Sequence, residues 1–205
     1  MTKVKKCRWI SGPVRLLEME ILSFSSASDL RAWLARNHSK SDGIRLRIYK
    51  KNSGRDMVTY AEALEQALCY GWIDGQKLPG DEISWLQTFT PRRRGSKWSK
   101  KNTEHAERLI KWRKMTAPGL REVEAAKKDG RWQAAYDSFA SASIPSDFME
   151  KLRANKKAQS FFETLNKTNR YSIAYRLQTA KKPQTREKRM QAIIEKLARN
   201  ETMVA

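Results

Sequence analysis

Between Thr90 and Lys101 the chain places six basic residues and no acid: Arg92, Arg93, Arg94, Lys97, Lys100 and Lys101. Arginine offers forked donors that suit phosphate or carboxylate. A helix beginning after Ser99 adds backbone N–H groups for an anion. Trp98, inside the run, either stacks on a base or a guanidinium or packs a core while the arginines stay solvated. These six cations and Trp98 form the candidate anion or polyanion site. A second candidate lies upstream in Trp72-Ile73-Asp74-Gly75. There Trp72 and Asp74 are candidate pocket residues. Asp74 is open to two readings, acid–base chemistry with an unidentified partner or a structural salt bridge to a loop arginine.

Other chemistry finds no support. The sequence has no glycine-rich nucleotide loop, no G-x-S-x-G elbow and no H-E-x-x-H pair. Two cysteines and two histidines give no familiar zinc spacing, so neither metal nor cofactor is expected. His38 falls at a helix end and His105 on an amphipathic helix, as capping or exposed residues. Cys69, between Leu68 and Tyr70, reads as a buried thiol, and a reducing compartment suits it and Cys7 better than a disulfide. No residue is assigned as catalytic, and the reading leans away from an enzyme.

The formal charge is +20, with a pI of about 10.2. Its distribution is uneven: residues 88–101 carry +6, residues 151–180 another +6 and residues 181–205 +4, while residues 102–150 are neutral. Such clustering points to a polyanion-facing side, toward nucleic acid, anionic lipid or an acidic protein, against the plainer reading of a solvated surface. No run approaches the roughly 18 apolar residues of a membrane span.

Several elements must position these residues. Ser26 or Ser28 caps a helix over 29–36. Residues 43–50 alternate as a half-buried strand. Thr59, with Glu62 three residues on, makes a capping box for a helix that stops at Cys69–Tyr70, where Gly71 follows. Two extended segments, starting at Trp72 and at Ile83, flank the turn Leu78-Pro79-Gly80-Asp81. Helices follow from Lys100 to Arg113 and from Pro118 to about Lys128. A Ser/Ala linker, 138–143, separates them from helices near 147–154, 156–166, 170–180 and 184–199, the first capped by Ser146. Met190, Ile193, Ile194 and Leu197 form the buried stripe of the last.

At this level the chain resembles a known family. Cys69 to Gly75, Phe89-Thr90-Pro91-Arg92, Ser96 to Ser99 with Asn102, Asp129 to Trp132, Ile144-Pro145, and Thr185-Arg186 with Arg189 are similar to the YdeI/OmpD-associated family, also labelled bacteriocin-protection proteins. The resemblance spans about 24–199. Arg45 departs from it, standing where the family usually has tryptophan. It implies a small cytoplasmic bacterial protein linked to tolerance of antimicrobial peptides or envelope stress, and it carries over no catalytic residue, since none is established for the family.

The expected fold is α+β, a small antiparallel sheet covered by helices and followed by a helical C-terminal segment. Residues 1–18 are expected to be a disordered extension, 19–137 the α+β domain and 144–199 the helical segment. Three functions stay open: a non-enzymatic tolerance protein binding an acidic partner or ligand through the loop, a nucleic-acid binder using the loop and the C-terminal helices, and an enzyme on a small anionic substrate.

Overall fold

The computed structural model describes residues 19–204, and the expectation for residues 1–18 lies outside them. The chain divides into two compact units. The first comprises residues up to Arg93 together with Arg113–Glu122, and the second Arg94–Trp112 with Val123–Ala205. The division therefore falls inside the basic loop, and the Ser/Ala segment 138–143 lies within the second unit.

In the first unit β1 (Ile21–Leu22), β2 (Ile44–Tyr49), β3 (Trp72–Pro79) and β4 (Ser84–Pro91) form one sheet in the order β1-β2-β4-β3. β2 and β3 run antiparallel to β4, as the alternation and the turn at 78–81 predict. The addition is β1, a two-residue edge parallel to β2, so the sheet is mixed. Ile44, Leu46 and Ile48 point into the core, each 1% exposed or less.

Helix α1 (Ala27–Asn37) starts at Ser26, whose side chain accepts the Asp29 amide. It packs on α2 (Tyr60–Cys69), which packs on β3. Both halves of the predicted capping box at Thr59 and Glu62 are made. Gly71 ends α2 at φ +73°, a conformation that costs a side-chain-bearing residue strain. Gly75 has ordinary backbone and lies at an irregularity of β3 between Asp74 and Lys77.

Helix α4 (Ala117–Lys128) gives its first residues to this unit and the rest to the second. A Cβ on Gly119 would stand 2.4 Å from the Cys69 carbonyl oxygen and 2.7 Å from that of Leu68. Only glycine admits an approach this close between α4 and the end of α2.

The second unit holds α3 (Lys100–Lys111), α5 (Ser146–Arg153), α6 (Lys156–Thr164), α7 (Lys167–Gln178) and α8 (Pro183–Ala198). Its core gathers Phe148, Leu152, Phe162, Ile173, Leu177 and the predicted α8 stripe, Met190, Ile193, Ile194 and Leu197. Burying each such side chain favours folding by about 1.5–3 kcal/mol. Pro145, not Ser146, precedes α5, without a side-chain cap. α7 starts three residues earlier than its apolar pattern indicates, because Asn166 caps it by accepting the Asn169 amide at 2.9 Å.

Candidate anion-binding groove

The predicted site residues separate once placed. Arg92 is buried, 7% exposed, and its amide donates to Gly71 O at 3.0 Å. Arg93 and Arg94 are exposed, as are Lys100 and Lys101 at the start of α3. Lys100 is nevertheless engaged: its Nζ is 2.6 Å from Asp137. Trp98 is 2% exposed with its ring 4.9 Å from that of Trp132, so it packs the interior and offers no face for stacking.

The pocket predicted at Trp72 and Asp74 is not an open one. Trp72 is 1% exposed, set edge-on to Trp33 at 5.9 Å, and its Nε1 donates to His38 O at 3.1 Å. Asp74 accepts the Tyr60 hydroxyl at 2.7 Å. Burial, and then the Asp74 charge, push the Tyr60 phenol far above its ordinary range. His38 caps the end of α1, its Nδ1 2.9 Å from Leu34 O. His105 takes Arg108 at 2.7 Å, and Cys69 is a buried thiol whose pKa burial raises.

Lys97 leads to a different place. It lies half-buried in a cavity of about 500 Å3 in the second unit. Ser172, Tyr175, Arg176 and Thr179 line one side and Arg189, Ala192, Ile193 and Lys196 the other. Each set has the spacing i, i+3, i+4, i+7, which is one face of a helix. The groove thus lies between facing stripes of α7 and α8, and Met203 also lines it.

Its electrostatics have one sign. Lys97, Arg176, Arg189 and Lys196 line it, and no lining residue is acidic. Lys196 lies 4.0 Å from Glu201, which also pairs with Arg199 at 2.7 Å. The Lys97 amine sits 5.2 Å from the Tyr175 ring centroid. Partial burial, and then the charges of Arg189 and Lys181, hold its pKa below the ordinary lysine value. Arg189 Nη1 donates to Arg176 O at 2.7 Å, which fixes one guanidinium on the wall.

Lys97 is held there by its neighbours in sequence. Arg131 donates to Ser96 O at 2.8 Å while its Nε grips Asp129. Trp98 O accepts the Tyr136 amide, and Tyr136 O the Lys100 amide. Groups of this kind receive a phosphate or carboxylate through forked and point-charge donors. Reading from the sequence found Lys97 but not Arg176, Arg189 or Lys196. The available signal was the helical spacing of basic and small polar residues on the two last helices.

Residues 22–122 match a domain of unknown function (DUF8412), and residues 141–200 match the family described as bacteriocin-protection, YdeI or OmpD-associated. No curated protein and no solved structure matches the chain. The motifs from Cys69 to Asn102 that carry much of the resemblance fall in the first match. The α7 and α8 walls of the groove fall in the second. Over residues 141–200 the chain is thus similar to the family described as bacteriocin-protection, YdeI or OmpD-associated, and in that stretch it is YdeI/OmpD-associated-like.

Proposed function

We propose that the protein is a non-enzymatic binder of anionic ligands, and that the groove between α7 and α8, with Lys97 at its edge, is where it binds. The observation that carries this reading is the wall of four cations without a lining carboxylate. The Lys97 pKa, held down first by partial burial and then by the charges of Arg189 and Lys181, agrees with it, since a bound anion offsets both. The second unit as a whole has 23 Lys and Arg against 11 Asp and Glu, a charge of +12. Bacteriocin protection, the role in the family's name, fits an acidic partner or ligand inside the cell better than capture of the peptides themselves. Those are mostly cationic, and a chain of charge +20 repels them.

The test compares two triple variants for binding to long-chain inorganic polyphosphate by calorimetry. Lys97→Gln with Arg176→Gln and Arg189→Gln removes groove charge. Arg93→Gln with Arg94→Gln and Lys101→Gln removes the same charge from the exposed loop. The groove variant is expected to lose at least tenfold in affinity at unchanged melting temperature, and the loop variant much less. Equal losses in the two overturn the groove as the site.

A further inference from the structure

Beside the groove stands a row of aromatic rings. Tyr175, on the groove wall, lies 6.1 Å from Tyr171 one helical turn back, and Tyr171 lies 5.2 Å from Phe139. Tyr136 meets Tyr175 edge-on at 4.9 Å. Phe139 is 46% exposed, unusual for a ring that could have been buried. Two of these rings have an ammonium over them: Lys97 over Tyr175 at 5.2 Å and Lys167 over Phe139 at 5.2 Å. Lys167, Tyr171 and Tyr175 follow one another at i+4 along one face of α7, with Thr179 at its C-cap next in that row, and Arg176 lies next to Tyr175.

We infer that the ligand of the groove is single-stranded nucleic acid, whose phosphates lie along Lys97, Arg176 and Arg189 while unpaired bases stack on Phe139 and Tyr171. The inference rests on the groove being an anion site and adds to it the ligand class. Cations beside stacking platforms are how proteins hold single strands without reading sequence. A phosphate competes for the lysines that now lie over the rings, and a base takes the vacated face. Duplexes keep their base faces stacked inside and have nothing to offer the rings. A lipid headgroup or an acidic peptide would use the cations and leave the row of rings without a purpose.

The experiment measures binding of a dT octamer, a hairpin duplex of the same phosphate number, inorganic polyphosphate and phosphatidylserine vesicles. Phe139→Ala with Tyr171→Ala is expected to weaken the octamer about fivefold or more, in line with the loss of one or two base stacks. The same variant should leave polyphosphate binding unchanged, and Tyr171→Phe should retain octamer binding. Groove variants should lose both ligands and flatten the salt dependence of octamer binding by about 0.7 per phosphate contact removed. Should the double variant lose helical signal, Phe139→Ala alone, at an exposed position, carries the test. Octamer binding unaffected by loss of the rings, or a preference for duplex or vesicles, overturns the inference while leaving the anion groove standing. Polyphosphate binding that survives the groove variants overturns the anion groove itself.

Discussion

Asp137 and Gln178 hold each other twice. The Asp137 amide donates to the Gln178 side-chain carbonyl at 3.1 Å, and the Gln178 amide group returns a hydrogen bond to the Asp137 carboxylate at 2.6 Å. The same carboxylate takes the Lys100 ammonium. One residue thus ties the segment behind Trp132 to the end of α7 and to the start of α3, and so sets where Lys97 meets the groove.

The hydrogen bond from Lys100 is the main cause that holds the Asp137 carboxyl below its usual range, with Gln178 assisting against partial burial. A depressed carboxyl pKa contributes stability that is present above the unfolded value, near 3.9, and is lost as pH falls through the folded one. Asp137→Ala should cost about 1–2 kcal/mol at pH 7, the range for hydrogen bonds to a charged group reduced for the exposure of Lys100. The difference from the parent should shrink as pH falls below the unfolded carboxyl value, near 3.9, and through the lower folded one. Denaturant melts at pH 7 and pH 2.5 check it, and a difference that grows in acid contradicts it.

Gly119→Ala tests the close approach of α4 to the end of α2. In an ordinary helix interior this change is stabilising. Here the new methyl meets two carbonyl oxygens, those of Leu68 and Cys69, and backbone cannot step aside as a side chain can. The expected result is a loss of more than about 2 kcal/mol, within the cost of overpacking. Gly71→Val, placed at φ +73° with the Pro118 carbonyl 3.0 Å from a Cβ, should lose more than about 1 kcal/mol. Chemical denaturation of the two single variants gives both numbers.

Tyr60 should stand apart in an alkaline titration. Burial and Asp74 raise its phenol pKa far above that of an exposed tyrosine. A raised folded pKa gives stability that is full below the unfolded value, about 10, and declines as pH rises beyond it. Followed at 295 nm, phenolate absorbance of the parent should show a late step that appears only as the fold opens. In Tyr60→Phe the late step should vanish, and the alkaline unfolding midpoint should move.

What could be read from the sequence divides by the range of the interaction. Thr59 with Glu62, Ser26 and Gly71 act within one turn of chain, so their roles are visible in the residues themselves. The alternation of Ile44, Leu46 and Ile48 likewise declares a strand with one buried face. Ile21 and Leu22 are too short for a period and are a strand only because β2 runs beside them. Gly119 looks like any glycine in a helix until Cys69 is placed against it. The candidate loop separates for the same reason. Seven neighbours in sequence include a packed Trp98, a buried Arg92 and a paired Lys100, and only Lys97 shares its surroundings with Arg176 and Arg189. Phe139 sits in a segment whose Ser/Ala composition reads as linker, and nothing local relates it to Tyr171.

The last prediction joins the support of Lys97 to binding. Arg131 is 9% exposed and has two tasks: its Nη1 donates to Ser96 O, one residue before Lys97, and its Nε bonds Asp129. Arg131→Met keeps most of the aliphatic bulk but removes both sets of donors. The Ser96 carbonyl then loses a charged donor, and the loop loses the tie that sets Lys97 beside Tyr175. Since Arg131 is not among the groove-lining residues, a purely structural role predicts lower stability with undiminished affinity in the folded fraction. A positioning role predicts that polyphosphate affinity falls about as far as in Lys97→Gln, and that adding Lys97→Gln to Arg131→Met lowers it little further, because both changes remove the same interaction. Calorimetry well below the melting temperature separates the two. Additive losses would mean that Lys97 finds its place without Arg131.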